Sequence, residues 1–127
     1  MAGYRDVAVN AADLIVGGNC AKPVEAWDQA TKRSFPSSES LREKGCPKGA
    51  FLGLCNAGLI QGVEPDNYAR HSKNGDYAVA AVEVLRRNKF MASQPNLLWK
   101  KVAGNAKTHN HQMDVVIGLW EAGLLGS

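Results

Sequence analysis

Four residues have types and spacing suited to nucleophilic chemistry: Cys46, His109, His111 and Asp114. The order Gly45-Cys46-Pro47 predicts a helix with Cys46 at the N-cap and Pro47 at the first helical position, where a missing N–H is harmless. A thiol there feels the positive end of the helix dipole, and Lys44 and Lys48 add to the effect, so the thiolate is favoured. A Cys–His nucleophile also needs a base within hydrogen-bond reach and a third group to orient that base. His111 or His109 would be the base and Asp114 the orienting group. Together they would make a cysteine-dependent hydrolase or transferase. The plainer use of the same residues is as helix caps, the cysteine buried and the histidine polar.

His109-Asn110-His111 shares its letters with a nuclease motif, but that motif sits on a hairpin followed by a helix, and no hairpin is visible here. Two histidines at i, i+2 point about 200° apart on a helix, so they cannot share one metal ion if both are helical. Asp114 is the nearest carboxylate. The sequence therefore implies no metal and no cofactor.

Charge offers a third chemistry. The chain carries +3 overall, but residues 70–107 hold eight basic side chains against Asp76 and Glu83, which is +6, leaving −3 elsewhere. Arg70, Lys73, Arg86, Arg87, Lys89, Lys100, Lys101 and Lys107 could attract nucleic acid if they shared a face. The Gly58-Leu59-Ile60 ending also occurs in winged-helix domains, with a wing conceivable across Leu59 to Tyr77 carrying Arg70, His71 and Lys73. The preceding helix has only Lys48 as a cation, so any nucleic-acid binding is expected to be non-specific and salt-dependent.

The elements that must position these groups read as helices. Tyr4, Val7, Ala8, Ala11, Leu14 and Ile15 follow the i, i+3, i+4, i+7 pattern, stopped by Gly17-Gly18. Pro23 opens a second helix that ends before Pro36. A short turn runs through Leu41 to Lys44, and the Cys46 helix reaches Ala57. Gly58 and Leu59 give it a Schellman ending. Residues 60–75 carry turn signals at Gly62, Pro65-Asp66-Asn67 and Asn74-Gly75, with a strand conceivable only over Leu59 to Val63. Asp76 is expected to cap the next helix. Pro95 opens another, closed at Gly104. Thr108 or Asn110 opens the last, which is apolar around most of its circumference and hence central.

Residues 46–60 and 111–125 also match each other at an offset of 65. Gly53, Leu54, Ala57, Gly58 and Leu59 recur as Gly118, Leu119, Ala122, Gly123 and Leu124. A mid-helix glycine costs about 1 kcal/mol relative to alanine, so its presence in both segments predicts a close backbone approach at Gly53 and Gly118. Residues 45–55 and 109–116 together resemble a family of small, uncharacterised bacterial helical proteins. That resemblance implies a helical fold and carries no activity, cofactor or functional residue with it.

With 127 residues, 45% hydrophobic and 21% charged, the chain suits one domain over residues 1–127 and excludes disorder as its main state. No apolar run approaches a membrane span, and the N-terminal segment turns amphipathic at once, unlike a secretory signal. Cys20, Cys46 and Cys55 are too few and too scattered for a disulfide framework. A cytoplasmic location follows, with Cys20 expected to be exposed and Cys55 in the core. The expected fold is all-α, a single-domain bundle of about six helices. The expected role is a non-enzymatic macromolecular interaction module whose partner is another protein, with no membrane involved. The cysteine enzyme and the nucleic-acid binder are the alternatives.

Overall fold

A computed structural model describes residues 3–104 and 109–125. Seven α-helices follow in order: α1 (Tyr4–Val16), α2 (Pro23–Ser34), α3 (Glu39–Arg42), α4 (Gly45–Asn56), α5 (Lys73–Arg87), α6 (Pro95–Ala103) and α7 (Gln112–Glu121), with a 3-10 turn over Lys89–Ser93 between α5 and α6. Six of these are long and α3 is a single turn, so the fold is the all-α single-domain bundle that the periodicity implies. The described residues contain no strand. Leu59–Val63 is irregular, held by a turn from the Val63 N–H to the Ile60 carbonyl and by the Gln61 N–H donating to the Leu124 carbonyl.

One core joins all the long helices. Trp27, Phe51, Leu54, Leu85, Leu98, Met113, Ile117 and Leu119 are fully buried. Helix α7 is central, with seven of its ten residues buried, and it packs on α1, α4, α5 and α6. Val115, Val116 and Ile117 are consecutive and point in different directions, so burying all three needs neighbours on several sides.

The predicted close approaches are present. A Cβ on Gly53 would lie 2.3 Å from the Gly75 Cα, and one on Gly118 would lie 2.7 Å from the Arg5 Cα. Thus α4 carries the first turn of α5 across its glycine, and α7 carries the first turn of α1. The two helices end alike as well. Gly58 and Gly123 have φ of +71° and +76°, and the N–H groups of Leu59 and Leu124 donate back to the carbonyls of Leu54 and Leu119 at 3.1 and 3.0 Å. Helix α1 ends the same way at Gly18, with Asn19 donating to Leu14, so the ending alone is a common solution. The repeat is distinguished by that ending together with a mid-helix glycine crossed by another helix's first turn.

Three boundaries differ from the sequence reading. Helix α4 starts two residues early: Lys44 is its N-cap, and Cys46 is the second helical residue rather than the cap. Helix α5 starts at Lys73, capped by the Ser72 hydroxyl, which accepts from the Gly75 N–H at 3.1 Å. Asn74-Gly75 therefore forms helix instead of a turn, because Gly75 must fit against Gly53. Asp76, freed from capping, pairs with His71 at 2.8 Å. Helix α7 starts at Gln112 with His111 as N-cap; Thr108, the other opening considered, lies outside the described residues.

Candidate functional site

The structure divides the chemically active residues among three places. The first is the N-terminal end of α7. His109 donates nothing to Cys46; its Nε2 accepts the Met113 N–H at 3.1 Å, capping α7 through the side chain. Its ring also lies against Trp99, centroids 5.3 Å apart. Burial lowers the His109 pKa below the usual imidazole value, the His111 ring lowers it further, and Asp114 opposes them. A neutral ring with a free lone pair is what a cap requires.

His111 makes the other half of the predicted arrangement. Its Nδ1 is 2.9 Å from Asp114 Oδ2, one helical turn away, so Asp114 does orient a histidine. His111 is the one described non-glycine residue with positive φ, +70°, in a region where histidine is tolerated better than most residues. That turn of the backbone brings its ring against Tyr4, with centroids 4.8 Å apart and planes tilted by 41°. Asp114 also meets Arg5 Nε at 3.6 Å, and Arg5 reaches on to Glu121 at 3.2 Å.

Cys46 is not part of this group. Among the described residues no hydrogen bond joins it to His109 or His111, although the Lys44 ammonium donates to Asn110 Oδ1 at 3.2 Å, so the starts of α4 and α7 are neighbours. One ring nitrogen of each histidine is engaged elsewhere, His109 Nε2 by the Met113 N–H and His111 Nδ1 by Asp114. For the Cys46–His alternative, α4 starts two residues earlier than the spacing implies, and the His109 Nε2 is occupied by the Met113 N–H. Cys20 is also corrected. It is buried at 4% exposure, because its N–H folds back onto the Leu14 carbonyl at the end of α1. Cys55 sits in the core as expected, and burial pushes its thiol up to about 12.

A cleft of about 440 Å³ opens beside His111 and Asp114, lined also by the first turn of α1, Phe35 and Leu41. The Tyr4 hydroxyl donates to the Leu41 carbonyl, tying α3 across α1, and burial raises the Tyr4 pKa. No sequence signal marked Phe35, Leu41 or Arg5, since they come from three separate elements.

The cations form the second place. Arg70, Lys73, Arg86, Arg87, Lys89, Lys100 and Lys101 are all exposed, while Lys107 lies outside the described residues. Tyr77 meets Trp99 edge-on at 5.1 Å, so the end of α6, with Lys100 and Lys101, lies beside the start of α5. Arg86 and Arg87 are at the other end, roughly 15 Å away at the α-helical rise of 1.5 Å per residue. Arg86 is further engaged by Glu83 at 3.0 Å and by the Leu125 carbonyl. The seven cations are thus carried by α5, α6 and the segments on either side of α5. The conceived wing is absent as well, because Lys73 to Tyr77 is helical.

The third place was missed from sequence. Phe90 is 85% exposed and Leu97 is 47% exposed. The 3-10 turn sends Met91 into the core, which turns Phe90 outward between Lys89 and the rest of the chain.

The family of unknown function DUF6979 matches residues 1–126. The chain belongs to that family. No curated protein and no solved structure matches it significantly. DUF6979 membership agrees with the resemblance to small helical proteins and assigns no role to any residue. No described helix is long and apolar enough to cross a membrane.

Proposed function

We propose that this DUF6979 protein is a non-enzymatic interaction module that docks a protein segment carrying both acidic and apolar side chains. The observation that carries the reading is Phe90. A phenylalanine left 85% exposed forgoes about 2 kcal/mol of burial, equivalent to more than tenfold in affinity for a partner that covers it. Lys89 precedes it in the same 3-10 turn, and Arg87 ends the helix just before that turn. That setting suits an apolar side chain in the centre of an interface and carboxylates at its rim.

A photo-crosslinking aromatic amino acid at position 90 tests the reading in cells that express the chain. The expected product is a discrete protein adduct that resists nuclease and is lost in Arg87→Glu or Lys89→Glu. An adduct only with nucleic acid would favour the electrostatic alternative, and an adduct only with a second copy of the chain would replace the partner by self-association. Absence of any adduct would end the proposal.

A further inference from the structure

The chain crosses itself twice in the same way, and the crossings fix a register between its first and second halves. Gly118 of α7 is crossed by Arg5 of α1, and Gly53 of α4 is crossed by Gly75 of α5. Gly53 and Gly118 are 65 residues apart, the offset of the repeat in α4 and α7, while Arg5 and Gly75 are 70 apart. Packing alone sets that second offset, yet it aligns α1 and α5 residue by residue. Asp6, Ala8, Val9 and Ala11 fall on Asp76, Ala78, Val79 and Ala81, and Asp13 falls on Glu83.

Burial follows the same register. Ala8, Ala11 and Ala12 are buried, and so are Ala78, Ala81 and Val82. In the next helices Pro23 and Pro95 both open the first turn, and Trp27 and Trp99, four residues on, are both buried. The turns that lead into these helices each send one sulfur-bearing side chain inside, Cys20 and Met91, and an alanine follows both. Ile60 and Leu125, just past the two Schellman endings, are both 1% exposed. The offset changes only between helices, from 70 to 72 and then to 65, as insertions and deletions in loops would make it.

Packing between the halves is reciprocal. Helix α1 packs on α7, α5 packs on α4, and α4 and α7 pack on each other. Past their ends, the Gln61 N–H donates to the Leu124 carbonyl. Each half thus lays its first helix across the last helix of the other, although α5 also touches α7 and the halves are not identical. A surface that covers its own equivalent is the geometry of a twofold dimer interface. We propose that residues 1–62 and 66–127 are two fused copies of one helical unit, and that the partner fitted by the unit's α1 and α4 surface is a second copy of that unit. Fusion spares the translational and rotational cost of their association. The proposal is independent of Phe90, which stands where the first unit has the exposed Asn19 and so lies outside the shared plan.

The test is a symmetrised chain in which residues 75–127 are replaced by a second copy of residues 5–62, joined in the register that the crossings fix. It is expected to be helical by circular dichroism and to show, in a heteronuclear NMR spectrum, one amide resonance for each pair of copied residues. Two unlike sets of resonances would overturn the twofold relation. Should that chain not fold, a milder exchange in the full chain decides. Residues 8–15 in place of 78–85 keep the buried alanines at 78 and 81 and include Val82→Ala and Leu85→Ile, so Tm should fall by no more than roughly 15 °C. Residues 9–16 in the same place are one position out of register and include Val82→Asp at a buried position, which should abolish the cooperative transition. Loss of the fold in both exchanges, or equal tolerance of both, would overturn the proposal.

Discussion

Replacing Gly53 by alanine should destabilise the fold by about 2 kcal/mol or more, against the ordinary expectation for a glycine inside a helix. In an isolated helix the change would gain about 1 kcal/mol. Here the new Cβ would stand 2.3 Å from the Gly75 Cα, 3.0 Å from its carbonyl carbon and 3.2 Å from its oxygen. Ordinary contact begins near 3.4 Å, so α4 and α5 must separate by about 1 Å, and every obstructing atom is backbone that no rotamer change can move. A gap of that size forfeits a quarter to a half of each dispersion contact it opens. Overpacking of this kind costs about 1–3 kcal/mol and occasionally more, and the rigid obstruction places Gly53 at the upper end. The net of about 2 kcal/mol corresponds to a fall in Tm of roughly 6–10 °C for a chain of this size. Urea and thermal unfolding followed by circular dichroism would measure it. The geometry also predicts an order. Gly75→Ala meets the Gly53 Cα at 3.0 Å and should cost less, while Gly49→Ala meets only the Asn74 side chain at 3.1 and 3.5 Å and the Ser72 hydroxyl at 3.4 Å, and should cost least. Gly45→Ala has open space and should be neutral or stabilising. A Gly53→Ala protein as stable as the parent would refute the close crossing.

Gly118→Ala, obstructed by the Arg5 backbone at 2.7 and 2.8 Å, should likewise destabilise, and a neutral result would deny the equivalence of the two crossings. In the native state Cys46 should react with alkylating reagents well before Cys20 or Cys55, which are both buried; comparable rates would mean that the core opens readily. Burial raises the Cys55 thiol to about 12 from an ordinary 9.0, so the native state holds the proton more tightly, and stability should fall as pH rises from about 9 toward 12. For His109 the folded pKa is lowered, so the unfolded chain binds the proton better and stability should drop as pH falls through the ordinary imidazole range near 6.5. That acid loss should shrink in His109→Gln, and an unchanged profile would remove His109 as its source. Phe90→Ala should leave folding within about 0.5 kcal/mol of the parent, as for exposed sites generally.

The proposed interaction role rests on a surface that periodicity cannot reveal. Phe90 follows Lys89 and precedes Met91, and either aromatic or thioether could have gone inside. The 3-10 turn chose Met91. The cleft beside His111 has the same origin, since Tyr4, Phe35, Leu41 and Asp114 come from distant parts of the chain and only packing brings them together.

Local physics was legible without coordinates. The apolar stripe of α1, the proline starts of α2 and α6, the Schellman endings after α4 and α7 and the central burial of α7 all depend on interactions within a few residues, and sequence carries those directly. The glycines at 53 and 118 announced a close approach because their helix propensity is a local quantity. The identity of what approaches is not local. Gly75 and Arg5 are set by the crossing of helices, and so is the start of α5, where fitting Gly75 against Gly53 prevailed over the turn signal of Asn74-Gly75. The thiol and the histidines show the same division. Their proximity to helix starts could be read from spacing, but whether Cys46 met a base depended on a two-residue shift of α4 and on which backbone amide the His109 ring reached first. Hydrogen-bond reach is about 3 Å, shorter than one helical turn, so a boundary uncertain by two residues leaves a fold intact and decides a site.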